Sequence, residues 1–476
     1  THQLYTRHAA MAAVAKPRLE DLFETEARAQ VVVLTGGPCA GKTTAVSEIR
    51  TYCEARGVRV FFVPEAATLF FSNGSRGDTD LRTPSQREAF QIAIMRTQMH
   101  LEDTFRALAA ATGEQCVILC DRGTMDGRAY CSDAEWNTVL AAGGFASNVE
   151  LRDSRYDAVL HLVTAADGAT NFYKQIDGVR LETPELACEL DAKTLASWSD
   201  HPRVFVFRNE AVGGEHGAIS FAEKMRRVCL RLARLLGIAT DADTTPRASE
   251  ATRAPLVRRK WSIGLLDISQ LDAACVAYTS FEICKVYLEC AGGEGPERIE
   301  AARRCQTPLG GGEGSEDSAA GSPQELKVED AATVEAAATL AAMPYCCVRS
   351  RTRDGATAYN MTRFQMVETT AGGELKGSET KRILSKREFA QHLATNRDFA
   401  RRTVRLTRTT IVYEKHFYKI DEYLEPKEYR GLKILSAELP EGKPLEPEIA
   451  RLLGVTPANE VTGDVRYRAV YVSLRS

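Results

Sequence analysis

The eight residues Gly36-Gly-Pro-Cys-Ala-Gly-Lys42-Thr43 constrain this chain more than any other stretch, because they fit G-x-x-x-x-G-K-[ST] without a mismatch. The apolar run Val31–Thr35 precedes them and a helical stretch, Thr44–Glu54, follows, which is the strand–loop–helix setting that the pattern requires. Such a loop is an anion cradle. Glycines let backbone N–H groups turn inward, and the helix N-terminus adds its positive end. Gly36, Gly37, Pro38, Cys39, Ala40 and Gly41, with Thr44 at the helix start, are therefore expected to hold nucleotide phosphates. Lys42 would put a point charge on the β- and γ-phosphates, and the Thr43 hydroxyl would ligate Mg²⁺. The expected cofactors are ATP and Mg²⁺.

Further apolar runs at Val58–Val63, Cys116–Asp121, Ala158–Val163 and Arg203–Phe207 read as buried parallel strands separated by helices. Five such strands with crossover helices predict a doubly wound α/β sheet with helices on both faces. The clearest helix runs from Gln86 to about Ala111, with Ser85 and Glu88 as a capping box, and a second spans Pro184–Trp198. Cys116-Val-Ile-Leu-Cys-Asp121 ends in a carboxylate, so Asp121 is expected beside the metal. Glu65 ends the second strand on the same carboxyl edge, where open α/β sheets bind ligands, and suits a general base. Asp121-Arg122 resembles the small P-loop kinases of nucleosides and nucleotides, which implies that Arg122 touches the nucleotide. In those kinases the stretch that holds Arg180 here is a lid whose arginines close over the transferred phosphoryl group.

Composition removes several classes. Lys and Arg number 61 against 64 Asp and Glu, a net charge of −3, so nothing marks a general nucleic-acid binder. The 13 cysteines are odd in number and form no C-x-x-C pair, which predicts free thiols and a reducing compartment. The expected location is the cytoplasm, with an organelle matrix as the alternative. Thr1–Leu19 is basic and reads as a disordered start, a transit remnant being the second reading. No apolar run reaches the ~18 residues of a membrane span.

From about residue 256 the pattern changes to antiparallel α+β, behind a polar linker at 241–255. Strands are expected at Arg259–Leu265, Ser280–Leu288, Tyr345–Arg351, Arg363–Glu368, Val404–Thr410, Ile411–Ile420, Lys433–Leu439 and Ala469–Leu474, with a helix at Lys386–Ala394 behind Ser385. A Gly- and Ser-rich stretch at about 291–330 reads as a flexible insertion. Between Tyr345 and Glu422 sixteen Lys or Arg face nine Asp or Glu. Arg349 and Arg351 are two apart and so share a face, with Lys381, Arg382, Arg405 and Arg408 nearby. Cations on the inner face of a curved sheet make a pocket for a polyanion, against the plainer reading of a solvated face.

Val348-Arg-Ser-Arg-Thr-Arg-Asp-Gly, Thr380-Lys-Arg-Ile-Leu-Ser-Lys-Arg-Glu-Phe, Phe417-Tyr-Lys-Ile-Asp-Glu-Tyr and Gly431-Leu-Lys-Ile-Leu-Ser-Ala-Glu-Leu resemble the CYTH (triphosphate tunnel) superfamily. Their order is similar to fusions of an AAA-type P-loop ATPase or kinase-like domain with a CYTH-like barrel. Domains are thus expected at 28–240 and 256–476, after an extension at 1–27. The resemblance implies an anion site at Lys260, Arg349, Arg351, Lys381 and Arg408. It also implies a first strand carrying Glu-x-Glu-x-Lys, whose glutamates hold a metal. Here Leu256 and Arg258 stand in the glutamate positions, leaving Glu282, Asp421 and Glu438 as acidic partners. Three readings stay open on the sequence. The first is a Mg²⁺-dependent ATPase or phosphotransferase whose second domain binds a polyphosphate or phosphorylated small molecule. The others are a CYTH-type triphosphatase and a non-catalytic nucleotide-binding scaffold with a protein partner.

Overall fold

The computed structural model describes residues 29–173, 183–209, 221–238, 256–264, 266, 268–274, 276–289, 344–368, 375–399, 401–414, 416–440 and 443–473. The expected N-terminal extension, linker and Gly-rich insertion lie outside these residues, as does Arg180.

The N-terminal half runs β1 (Gln30–Gly36), α1 (Lys42–Glu54), β2 (Arg59–Val63), α2 (Ala66–Ser72), α3 (Gly77–Asp80), α4 (Pro84–Thr112), β3 (Cys116–Asp121), α5 (Asp133–Ala142), α6 (Asn148–Asp153), β4 (Ala158–Leu162), α7 (Pro184–Trp198), β5 (Val204–Phe207) and α8 (Phe221–Leu236). The five strands form one parallel sheet in the order β2-β3-β1-β4-β5. β1 shows why its run is continuously apolar. Val32 and Leu34 enter one core with Ile49, Val228 and Leu232, whereas Val31 and Val33 enter the other with Met95, Trp136 and Trp198. A strand buried on both faces has no polar side to alternate with. The cap of α4 differs from the expected Ser85–Glu88 pair: Thr83 and Gln86 form the capping box, and Pro84 takes the first helical position. Proline there needs no N–H, so it moves the start of the helix two residues earlier.

The C-terminal half runs β6 (Leu256–Ile263), α9 (Ile268–Ala273), β7 (Tyr278–Leu288), β8 (Tyr345–Arg353), β9 (Ala356–Glu368), β10 (Leu375–Leu384), α10 (Lys386–Thr395), β11 (Val404–Tyr413), β12 (His416–Glu425), β13 (Lys433–Pro440), α11 (Pro447–Leu452) and α12 (Ala469–Val472). Its strands form an eight-stranded antiparallel sheet in the order β10-β9-β8-β7-β11-β12-β13-β6. Strand pairing does not close it into the expected barrel: among the described residues the end strands β10 and β6 are not bonded to each other. Three segments also depart from expectation. β10 (Leu375–Leu384) lies where no strand is expected, because its run Lys376-Gly-Ser-Glu-Thr-Lys-Arg382 carries no apolar alternation. β11 continues through Ile411 to Tyr413, which pairs with His416, because the β-branched run Thr409-Thr410-Ile411-Val412 holds the strand past the expected break. Ala469–Val472 is a helical turn, with Ser473 N–H bonded to the Ala469 carbonyl at 3.1 Å. A short apolar run buried throughout carries no period to tell strand from helix.

The two halves meet over apolar and ionic contacts. Val149 of α6 packs on Ala356 and Ala358 of β9. Arg351 Nη1 donates to Asp153 Oδ2 at 2.7 Å, and Arg353 Nη1 to Asp200 Oδ2 at 3.0 Å. Arg152 bridges the same two aspartates, at 2.6 Å to Asp153 and 3.3 Å to Asp200. His201 lies buried beside them. Its Nδ1 accepts the Arg203 N–H at 3.2 Å, so Nε2 carries the proton and donates to the Tyr156 carbonyl at 2.9 Å. Burial lowers its pKa to about 4, against the pull of Asp153.

That histidine makes stability pH-dependent. A folded pKa below the unfolded 6.5 means that the unfolded chain binds more protons, so His201 contributes fully above pH 6.5 and the contribution is lost as pH falls toward 4. The loss should be roughly 3 kcal/mol over that window. His416, also lowered by burial and by Arg208, acts in the same direction. Urea melts of wild type and His201→Gln between pH 7 and 4 should therefore show a shallower slope in the variant, and parallel slopes would refute the assignment.

Candidate functional site

The phosphate loop joins β1 to α1 and is held from three sides. Thr164 Oγ1, after β4, donates to the Pro38 carbonyl at 2.5 Å. Ala165 N–H reaches the Cys39 carbonyl at 3.3 Å. Buried Lys224 of α8 donates to the Ala40 carbonyl at 3.3 Å, to the Val163 carbonyl at 2.7 Å and to Asn209 Oδ1 at 2.8 Å. Asp191 of α7 accepts from Gly37 N at 2.8 Å and from Thr164 N at 3.2 Å. Gly36, at φ +142, is obligatory: a Cβ there would lie 1.9 Å from the Leu162 carbonyl oxygen. Gly41 caps α1 at φ 90 with no side-chain cap bond, so the amides of Thr43 and Thr44 stay available to an anion.

Around the loop the structure gathers Lys42, Glu65, Asp121, Arg122 and Asp126. Lys42 Nζ folds back onto the Gly36 and Gly37 carbonyls at 3.2 and 3.1 Å. Burial lowers its pKa to about 8, and Arg122 adds to the effect. Arg122 ties the cluster together from a positive-φ position (φ 65), with Nε 2.6 Å from Glu65 Oε1 and Nη1 3.1 Å from Asp126 Oδ1. Its Nη1 also donates to the Gly36 carbonyl at 3.3 Å. Asp126 accepts from Thr35 Oγ1, from Gly123 N at 2.8 Å and from Trp198 Nε1 at 3.2 Å, so it fastens the strand ends. Burial raises the Glu65 carboxyl, yet Arg122 and the 2.7 Å bond from Thr68 outweigh it and the net shift is downward. Asp121 is shifted upward, first by burial and also by Glu65, against the pull of Lys42.

Asp121 Oδ1 is buried and has no hydrogen-bond partner. A carboxylate oxygen left bare at a strand end, next to a phosphate cradle and the Thr43 hydroxyl, fits a hard cation. No group of three or more His, Cys, Asp or Glu able to hold a metal arises among the described residues. Mg²⁺ would then rest on Thr43, Asp121 and nucleotide oxygens, as that ion prefers. Asn209, at the end of β5, spends its side chain on the Thr164 and Asp167 carbonyls at 2.7 and 2.6 Å, and so supports the loop.

The second gathering lies on one face of the antiparallel sheet. Register pairs Arg349 with Lys285, Arg408 with Asp421, Lys419 with Ser436 and Ser436 with Lys260, and Lys381 opposes Thr362. Cross-strand partners share a face, so Lys260, Lys285, Arg349, Lys381, Arg408 and Lys419 all line it. The sheet curls enough that Arg258 of β6 acts electrostatically on Glu379 and Lys381 of β10, at the far end of the row. Burial lowers Lys285 and Lys419 to about 7, helped by Arg349 and Arg408 respectively, and Lys381 and Lys260 to about 8. Three carboxylates accompany these cations, each paired: Glu379 with Lys381 at 3.2 Å, Asp421 with Arg408 at 2.6 Å and Glu438 with Arg258 at 3.2 Å. Lys285, Arg349 and Lys419 have no carboxylate within ion-pair distance among the described residues. Arg349 Nε, Asn360 Oδ1 and Thr362 Oγ1 are buried without partners beside them.

Arg351 shares the strand face, but its guanidinium is taken by Asp153 and lies 3.5 Å from the centre of the Phe281 ring. Glu282 and Arg405 point outward and pair with each other at 3.7 Å, as Arg382 does with Glu388 at 3.5 Å. The sequence reading did not single out Lys285, Lys419, Glu379, Asp191 or Lys224. Lys285 had a visible signal: it sits in phase with Phe281, Ile283 and Tyr287, a lone cation among inward apolar positions. Asp191 and Lys224 had none, because helix interiors carry many such charges.

Residues 31–212 match a protein-family model described as an AAA domain. No curated protein matches the chain. Among solved structures, a conserved hypothetical protein from Pyrococcus furiosus is similar over 46% of this chain and 99% of its own, at 11% identity and a TM-score of 0.24. A protein from Pyrococcus horikoshii OT3 is similar over 43% of this chain and 94% of its own, at 10% identity and a TM-score of 0.22. The family match, on the five-stranded parallel sheet and its phosphate loop, supports an AAA-like P-loop unit that binds nucleotide. No described helix is long and apolar enough to cross a membrane.

Asp191 supplies a direct test of how the loop is held. Asp191→Ala strands two buried N–H groups, each costing about 1–3 kcal/mol. Chemical denaturation should show a loss of roughly 2–4 kcal/mol, with nucleotide affinity falling as the loop loosens. Unchanged stability would mean that the Gly37 amide has another partner.

Proposed function

We propose that the chain is a P-loop NTPase or phosphotransferase whose antiparallel sheet binds a polyphosphate-like anion without hydrolysing it. The observation that carries the first part is the buried, unpartnered Asp121 oxygen at the mouth of a complete phosphate loop, with Lys42 and Glu65 converging on the same strand ends. ATP would lie with its phosphates on the amides of Gly36–Thr44. Lys42 would leave the Gly36 and Gly37 carbonyls to meet the β- and γ-phosphates. Mg²⁺, bound with the nucleotide through Thr43 and Asp121, would neutralise developing phosphate charge. Glu65, kept ionised by Arg122, suits the task of orienting an attacking hydroxyl or water by accepting its hydrogen bond. Arg122 is engaged by two carboxylates, so it acts on the nucleotide through the set of Glu65, more than by direct contact.

The second part rests on the cation excess of the inner sheet face, and it keeps the CYTH-like assignment as a proposal. The chain is read as two domains, about 28–240 and 256–476. Binding without turnover follows from the pairing pattern. Arg258 occupies a position where a metal-binding glutamate would be needed, and Glu379, Asp421 and Glu438 are all committed to cations. A hard metal needs several convergent free oxygens. The triphosphatase reading is therefore the weaker one.

Two measurements test this. Purified protein given ATP or GTP with Mg²⁺, and an acceptor panel, should release or transfer phosphate. Lys42→Ala should abolish nucleotide binding while leaving the circular dichroism unchanged, and Asp121→Asn should cut turnover about a hundredfold or more while nucleotide still binds. Absence of turnover in wild type under all these conditions would favour the scaffold reading. Separately, tripolyphosphate binding to Lys42→Ala should take up protons near pH 8, because an anion raises the lowered pKa values of Lys285 and Lys419. Calorimetry in buffers of different ionisation heat reads that uptake directly, and its absence would remove these lysines from the site.

A further inference from the structure

The P-loop unit touches the antiparallel sheet at the outer edge of β10 and at the turn between β11 and β12. Arg203, at the start of β5, donates from Nη1 to the Lys381 carbonyl on β10 at 3.4 Å. Arg208, at the other end of β5, lies with Nη1 2.6 Å from His416 Nε2 on β12. Arg231 of α8 stacks on Phe205 of β5, with its guanidinium carbon 4.3 Å from the ring centroid. From there it acts on Glu438 of β13 and Arg258 of β6. The start of β5 thus meets the outer edge of β10, its end meets the turn between β11 and β12, and α8 brings Arg231 within electrostatic reach of β13 and β6.

We propose that the anion site is a two-unit site: β5 and α8 complete the wall that the sheet leaves open, and Arg231 is one of the cations that contact the ligand. This rests on the reading of the inner sheet face as an anion site. Three features point to Arg231. It has no carboxylate within ion-pair distance among the described residues, and Glu438, the acid that acts on it electrostatically, is engaged by Arg258. Its aliphatic stem and ring contact fix the guanidinium, so little rotamer freedom is lost on binding a planar, bidentate partner. It lies within electrostatic reach of Glu438 and Arg258, which by register share the sheet face of Lys260 and Lys419. The ligand class is a linear polyphosphate or a nucleoside triphosphate, whose oxygens are spaced along a chain and can reach from the cations of β7 and β8 toward Arg231.

The test uses the full chain in the Lys42→Ala background, with tripolyphosphate as the probe. Arg231→Gln should weaken binding about tenfold or more, the loss of one charge-assisted contact, and should lower the salt dependence of affinity. Arg231→Lys should recover part of the affinity. Arg405→Gln, an outward-facing control, should change nothing. Phenylglyoxal labelling followed by mass mapping covers the case of a variant that does not fold: tripolyphosphate should protect Arg231 from modification in the Lys42→Ala protein. Equal affinity in Arg231→Gln, or unprotected Arg231 alongside protected Arg349 and Arg408, overturns the two-unit site and leaves the anion site itself standing. No tripolyphosphate binding by Lys42→Ala, even at low salt, overturns both.

Discussion

Asp153 stands where the two halves of the molecule meet and divides its carboxylate between Arg152 on its own helix and Arg351 on the facing sheet. All three side chains are almost wholly buried, so none can fall back on water. Removing one partner from such a group typically costs 3–5 kcal/mol, because a charge is left uncompensated. The same network reaches Asp200 and Arg353, and through the turn that follows it fixes His201 and the start of β5. The position of β5 against β10 depends on that ionic junction. Its strength is conditional. A buried pair is weak ground for net stability, but a mismatched one is costly, which makes the cluster a device for fixing one relative placement of the halves.

Helix α8 bears on both candidate sites. Lys224 near its start holds the phosphate loop through the Ala40 carbonyl, and Arg231, two turns on, stacks on Phe205 within electrostatic reach of Glu438 and Arg258. Val228 and Leu232 lock the helix into the core beneath β1. A rigid element that braces the phosphate loop and carries Arg231 toward the second candidate site needs no ordered loop to connect the two.

The inner sheet face illustrates how concentrated charge is tolerated in a fold. Carboxylates neutralise part of it, and lysines supply a second relief: Lys285 and Lys419, drawn down to about 7, can shed a proton that a guanidinium cannot. Arg349 has no such option and is left with an unpartnered Nε. The charge of the face can therefore vary through its lysines, while its guanidinium groups stay charged.

The sequence by itself determined the five parallel strands, the phosphate loop and the antiparallel character of the second half. Each is written in short-range pattern: continuous apolar runs for two-sided burial, a fixed glycine and lysine spacing, and alternation for a one-sided sheet. It also brought Lys42, Glu65 and Asp121 to one edge, since parallel strands put their carboxyl ends together. Less was legible where several elements had to meet. That Arg351 is spent on Asp153, that Glu282 points outward while Glu379 points inward, that Asp191 and Lys224 brace the loop, and that an open sheet edge lies against β5 were all decided by tertiary structure. The physical reason is range. Periodicity and motif spacing report forces between residues a few positions apart, whereas the partner of a charge is set by chains that meet across 198 residues, as Asp153 and Arg351 do.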